Sequence, residues 1–273
     1  MPHVQVNGTR IHYTVEGSGP PAMLVHGLGS SHRDWEFNAP ALSKSHTLVI
    51  PDCRGHGLSG KAPGRYSIDL FASDLAELVE TLDLEPIHLL GISMGGMIAM
   101  RLAADRPKMV RSLTVVNAGC RIRIDSLRAR LSLVLRRFLL NFIGMRAVGK
   151  KLGQEMFPER GQEKFRRLVE QRWAENDRGC YRRSLDAVLG FDMCGQLERI
   201  KCPALFVRGE LDDTPVELPE QYIRSMPDAR LVVIEGSRHA TPIDRAEEFN
   251  TLVERFWSEV ESNGNQRPVT KDT

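Results

Sequence analysis

Six short, largely apolar runs of four residues constrain this chain most. They are "AMLV" at Ala22–Val25, "TLVI" at Thr47–Ile50, and "IHLL" at Ile87–Leu90. "LTVV" at Leu113–Val116, "ALFV" at Ala204–Val207 and "LVVI" at Leu231–Ile234 complete the set. Apolar runs this short suit parallel strands covered on both faces. Two further strands are expected at the start, where "HVQV" and "TRIHYTV" flank Asn7-Gly8, the favoured pair for a type I′ hairpin turn.

Helical patterns lie between the runs. In "SIDLFASDLAELVETLDL" (Ser67–Leu84), Ile68, Phe71, Leu75, Leu78, Val79 and Leu82 share one face at 3.6-residue spacing. Phe249, Leu252, Val253 and Phe256 do the same near the end. Strands alternating with helices imply a mostly parallel, doubly wound sheet with ligands at the carboxyl ends of its strands.

The alternation fails between Cys120 and Gln196, where helical patterns occur without a good strand. This stretch holds 17 Lys+Arg against 9 Asp+Glu, a balance of +8, while the rest of the chain stands at −6 and the whole at +2. The expected organisation is a core of 1–119 and 197–262, a helical cap of 120–196, and a flexible tail of 263–273. Hydrophobic residues make up 41%, enough for a large core and too many for a disordered chain. The small net charge does not suggest a nucleic-acid partner. No apolar stretch approaches the ~18 residues of a spanning helix, and "MPHVQVNGTR" has no charged-then-apolar leader. Five scattered cysteines without a CxxC pair predict buried free thiols in a reducing cytoplasm.

Chemistry gathers around "GISMGG", which places Ser93 between glycines, after a strand and before a helix. Such a turn can hold a serine oxygen out as a nucleophile. A serine hydroxyl then needs a base, an acid to orient that base, and donors for the oxyanion. Of eight histidines, His239 in "VIEGSRHATP" alone follows the last strand, at the edge where Ser93 also lies. His3 and His12 belong to the hairpin, His32 and His46 read as surface residues, and His88 as packed within its strand. The acid should follow an earlier strand, and "ALFVRGELDDTPV" offers Glu210, Asp212 and Asp213. Composition cannot separate the last two. Asn117, after the preceding strand, is not an acid. The backbone N–H of Met94 is one expected oxyanion donor, and that of Leu28 in "HGLG" the other; His26 is expected to brace that loop. "DCRGHGLSG" lacks a P-loop ending and reads as a structural turn in which Asp52, Arg54 and His56 brace one another.

The ordered set "HGLG", "DCRGHGLS", "GISMGG", "GELD" and "GSRHATP" resembles the α/β-hydrolase superfamily across nearly the whole chain. That resemblance implies an eight-stranded sheet whose second strand is antiparallel, with a helical cap after the sixth strand. It implies Ser93 as nucleophile, Asp212 as acid through the G-x-x-D loop, His239 as base, and Leu28 and Met94 as oxyanion donors. The "SMGG" elbow looks like those of enol-lactonases, perhydrolases and carbon–carbon bond hydrolases. The last group typically carries tryptophan after the catalytic histidine, where this chain has Ala240. Dehalogenases and epoxide hydrolases use an aspartate nucleophile. The expected activity is therefore hydrolysis of a carboxylic ester or lactone through an acyl-enzyme, without cofactor or metal, on a small-molecule substrate. A perhydrolase, a carbon–carbon bond hydrolase and a slow-turnover ligand receptor are the alternatives. The cap segment "RLSLVLRRFLLNFIG" carries Arg136 and Arg137, which either face water or favour anionic substrates.

Overall fold

The computed structural model describes residues 2–265. Among them, eight strands form one sheet in the order β1-β2-β4-β3-β5-β6-β7-β8. The strands are β1 His3–Val6, β2 Thr9–Glu16, β3 Pro21–Val25, β4 Thr47–Pro51, β5 Ile87–Ile92, β6 Val110–Val116, β7 Ala204–Gly209 and β8 Ala229–Ile234. Strand β2 pairs antiparallel with both β1 and β4, and every other pairing is parallel. The hairpin turns at Asn7 and Gly8, both with positive φ (40° and 71°), as a type I′ turn requires.

The α-helices are α1 Ala39–Leu42, α2 Ile68–Thr81, α3 Met94–Asp105, α4 Leu127–Phe138, α5 Met145–Met156, α6 Glu163–Ala174, α7 Arg178–Leu189, α8 Pro219–Tyr222, α9 Thr241–Asp244 and α10 Ala246–Asn265. Helix α2 begins where the sequence suggests: the Ser67 hydroxyl accepts from the Leu70 N–H at 3.1 Å and caps it. Its apolar face, Ile68, Phe71, Leu75, Leu78 and Val79, is fully buried beside α3 on one side of the sheet. The opposite side carries a second core in which Trp35, Leu42, Phe249, Val253 and Trp257 pack on Leu24, Leu90 and Leu205. The central strands of the sheet are thus covered on both faces.

Helices α4 to α7 fill the gap between β6 and β7, as a cap after the sixth strand does. Four expectations change. Cys120 and Cys194 form a disulfide, with Cα atoms 5.0 Å apart, leaving Cys53, Cys180 and Cys202 as free thiols. Seventy-four residues separate the pair in sequence, so spacing alone could not announce it. The bond joins the two ends of the helical insertion between β6 and β7, and it removes free thiols at those positions as support for a reducing compartment. Residues 263–265, expected within a flexible tail, belong to α10; the rest of that expected tail, residues 266–273, lies outside the described residues. His46 is buried rather than at the surface, packed 4.6 Å from the Trp257 ring. Asp52, Arg54 and His56 mostly brace other residues: Asp52 binds His12 and His32, Arg54 binds Asp74, and only His56 reaches back to the Arg54 carbonyl.

Candidate active site

The site starts from a turn that only small neighbours permit. Ser93 caps α3 with φ 54° and ψ −119°, a strained conformation for a residue with a side chain. The turn closes because Gly91 and Gly95 lack side chains. A Cβ on Gly91 would run into the Gly95 carbonyl, and one on Gly95 into the Val25 and His26 carbonyls. The helix therefore starts pressed against the ends of β5 and β3, with Ser93 at the corner. Met94 is the first helical residue, so its N–H has no intrahelical partner.

The loop after β3 passes beside this corner. A Cβ on Gly27 would stand 3.6 Å from the Ser93 Cβ, and Leu28 follows directly. His26 holds the loop: its Nε2 accepts from the Cys53 N–H at 3.0 Å, so its Nδ1 donates to the Gly27 carbonyl at 2.8 Å. Both ring nitrogens are occupied, which fits a brace.

His239 sits between β8 and α9. Its Nδ1 lies 3.2 and 3.3 Å from the two Asp212 oxygens and 2.8 Å from the Thr214 hydroxyl. Thr214 gives its single proton to Asp212 Oδ1 at 2.6 Å, so it accepts from His239 Nδ1–H. With the proton on Nδ1, Nε2 keeps the lone pair a base needs. Asp213 turns the other way and pairs with Arg128 at 2.7 Å, both groups well exposed.

Asn117 ties these parts together. The Ser93 N–H donates to the carbonyl of Val116, at the end of β6. The next residue, Asn117, donates to the carbonyl of His239 at 2.8 Å and to the Thr241 hydroxyl at 2.8 Å. Its side-chain oxygen accepts from the Gly209 N–H, at the end of β7. The serine turn, the histidine loop and the strand leading to Asp212 thus hang from one strand end.

Electrostatics follow from this packing. Burial disfavours the charged form of His239, but the Asp212 charge and hydrogen bond outweigh it and raise its pKa above the usual value. Burial also disfavours the Asp212 carboxylate, while His239 and Thr214 more than compensate and lower its pKa. The Arg136 charge opposes protonation of His239 and the Asp213 charge favours it, both less than Asp212 does. Arg136 is held by the Tyr181 hydroxyl, and the Tyr181 ring packs against Gly29 of the loop beside Ser93. Arg137 instead points outward and pairs with Asp186 at 3.1 Å.

A narrow apolar cavity of about 40 Å³ adjoins the site. Ile92 and Ala240, the neighbours of Ser93 and His239, line it together with Trp35, Phe157, Phe165 and Trp173. A larger, polar cavity of about 620 Å³ lies between α2 and α7; Ser93, Asp212 and His239 line neither cavity, and only the smaller one is lined by their chain neighbours Ile92 and Ala240. Sequence reasoning missed Thr214 and the positioning role of Asn117. Thr214 was open to a weak signal, since it follows Asp212 by two residues after β7, whereas Asn117 stood out only as the polar residue at the end of β6.

The profile of the "Alpha/beta hydrolase family" matches residues 22–252. An uncharacterized protein of Mycobacterium tuberculosis is 29% identical over 277 aligned residues, covering 94% of this chain and 80% of its own. The enol-lactonase from Burkholderia xenovorans LB400 superposes with a TM-score of 0.86 at 26% identity, over 94% of this chain and 100% of that one. Est816, an N-acyl homoserine lactone degrading enzyme, gives a TM-score of 0.80 at 25% identity, over 93% and 100% of the two chains. Sheet order, the antiparallel second strand, the turn at Ser93 and the match over most of the chain agree, and the protein belongs to the alpha/beta hydrolase family.

Proposed function

We propose that this protein hydrolyses a carboxylic ester or lactone with Ser93 as nucleophile, His239 as base and Asp212 as orienting acid. One observation carries the reading. The buried carboxylate of Asp212 holds His239 Nδ1 at the sheet edge where Ser93 occupies its strained turn. In this mechanism His239 Nε2 takes the Ser93 proton as the oxygen attacks the carbonyl. The backbone N–H groups of Met94 and Leu28 hold the oxyanion. The alcohol leaves with the proton from His239, and a water activated by the same ring then releases the acid. A lactone follows the same path with its alcohol still attached to the acid. The apolar cavity beside Ile92 and Ala240 takes a short acyl chain, and residues 120–196 act as a cap over the site. The enol-lactonase and the homoserine-lactone-degrading enzyme among the structural neighbours support this substrate class.

The test is a fluorophosphonate probe with an ester and lactone panel of varied acyl length. Wild type should label at Ser93 and turn over short acyl esters. Ser93→Ala should lose labelling and about 10⁴-fold or more in kcat. Labelling elsewhere, with activity retained in Ser93→Ala, would sink the reading.

A further inference from the structure

Among the described residues, eleven large apolar side chains are well exposed, and seven of them lie between Leu127 and Ile143. They are Leu127, Leu131, Val134, Leu135, Phe138, Phe142 and Ile143, with exposures from 45% (Leu135) to 73% (Phe142). Along α4 the spacing 127, 131, 134/135, 138 puts them on one face at helical period. The opposite face, Ala129, Ser132, Leu133 and Arg136, is half-buried against the protein. Arg128 flanks the stripe on one side, Arg130 and Arg137 on the other.

Charge selects what can cover this face. Residues 126–151 hold seven Lys+Arg and no Asp or Glu. The acids that meet these cations come from other segments, as in the pairs Arg128–Asp213, Arg137–Asp186 and Arg146–Glu170. The first two are exposed pairs, which contribute little and exchange readily for other anions. A symmetric contact with a second copy would set this acid-free segment against itself. A neutral apolar partner would leave the flanking arginines without use. An anionic lipid surface satisfies both features: aliphatic and phenyl groups enter the acyl boundary, and flanking arginines reach the phosphate level.

We propose that the exposed face of α4 and the turn after it, through Ile143, docks this protein peripherally on anionic membranes. No helix among the described residues is long and apolar enough to span a bilayer, so the contact is interfacial. Docking would set residues 127–143 against the lipid, with Arg136 on the inner side of the same helix, held by Tyr181.

The experiment is co-sedimentation of the full chain with phosphatidylcholine vesicles containing one third phosphatidylglycerol, and with phosphatidylcholine alone. Wild type should partition at least roughly tenfold better to the anionic vesicles, and salt should weaken it. The triple variant Leu131→Ser/Val134→Ser/Phe138→Ser should lose that partitioning. It should keep its melting temperature and its turnover of a short soluble ester, because these side chains face water. Arg128→Gln/Arg130→Gln/Arg137→Gln should lose the preference for anionic lipid, which tests the charge independently of the apolar change. Failure of wild type to bind anionic vesicles overturns the proposal, as does unchanged binding by both variants. A wild-type dimer in light scattering that the serine variant dissolves, without vesicle binding, assigns the face to a second copy. Binding to soluble polyglutamate but not to vesicles assigns it to an acidic protein.

Discussion

Two helices of twelve residues each, α3 and α4, divide the molecule's properties between them. Helix α3 buries ten of its residues, and α4 buries none. The first is Gly-, Ala- and Met-rich and lies against β3 and β5 so closely that two glycine positions tolerate no Cβ. The second touches the protein through one half-buried face and leaves Leu127, Leu131, Val134, Leu135 and Phe138 in water. Catalytic geometry needs the first kind of packing, because a small misplacement of a nucleophile costs rate steeply. A surface that meets a variable partner needs the second kind, where side chains are already presented and little has to move. The difference teaches that the rigid and adaptable parts of this hydrolase are local choices of side-chain size and polarity within one chain.

The largest expected effect breaks the comparison at the buried end. Asp212→Asn should lower kcat by several orders of magnitude while leaving ester binding nearly intact, since the carboxylate holds the His239 tautomer and stabilises its charged form. Asp213→Asn should cost less than tenfold, about 1.4 kcal/mol or less on the barrier, because Asp213 pairs with Arg128 at the surface and acts on His239 through its charge alone, without a hydrogen bond. The measurement is kcat for both variants on one activated ester. A dead Asp213→Asn beside an active Asp212→Asn would reverse the roles.

Next comes stability. Gly95→Ala drives a Cβ into the Val25 and His26 carbonyls, neither of which can move without shifting β3. It should cost about 2 kcal/mol or more, in the range for overpacked cores. Leu131→Ala on the exposed face of α4 should stay within about 0.5 kcal/mol. Urea unfolding of both reads the contrast directly, and equal losses would show that α4 is packed more tightly than its exposure implies.

The pH dependence sharpens the electrostatic side. In the proposed mechanism only neutral His239 acts as base, and its pKa is raised above the ordinary value of about 6.5 by the Asp212 carboxylate. The rate kcat/KM should therefore climb about tenfold per pH unit below that pKa and level off only at a midpoint above 6.5. A midpoint at or below 6.5, or a flat profile from pH 5 to 9, would contradict the Asp212–His239 arrangement.

Much of the core was legible because strand burial writes itself as short apolar runs, and because the elbow needs glycines at fixed places. All eight expected strands are present among the described residues, and the Asn7-Gly8 turn has the backbone its residues demand. The choice of Asp212 over Asp213 came from the resemblance, and the geometry around His239 agrees with it. What was not legible depends on contacts between distant segments. Asn117 reads as a strand-end polar residue, yet it binds two loops more than ninety positions away. His46 looks exposed in sequence, but the approach of α10 buries it against Trp257 and Glu261. The Cys120–Cys194 pair likewise becomes visible only once β6 and β7 set the two ends of the insertion side by side. The run that forms α4 is apolar enough to line a pocket or cover the sheet edge, yet Leu127, Leu131, Leu135 and Phe138 face water, because the half-buried face is the one that carries Ala129, Ser132, Leu133 and Arg136.

The smallest expected effect separates two adjacent arginines that sequence could only treat together. Arg136 lies on the inner face of α4, held by Tyr181, with its charge bearing on His239; Arg137 lies outward against Asp186. Arg136→Gln should do two things. It should raise KM severalfold for an ester whose acid or alcohol part carries a carboxylate, with little change for a neutral ester. It should also move the kcat/KM midpoint upward, because removing a nearby cation eases protonation of His239. Arg137→Gln should do neither, since an exposed ion pair at the surface is worth little to the site. The pH midpoint distinguishes this reading from simple loss of cap packing, which would change KM for both esters and leave the ionisation in place. Matching behaviour of the two variants would mean that both arginines face solvent and that the site does not select its substrate by charge.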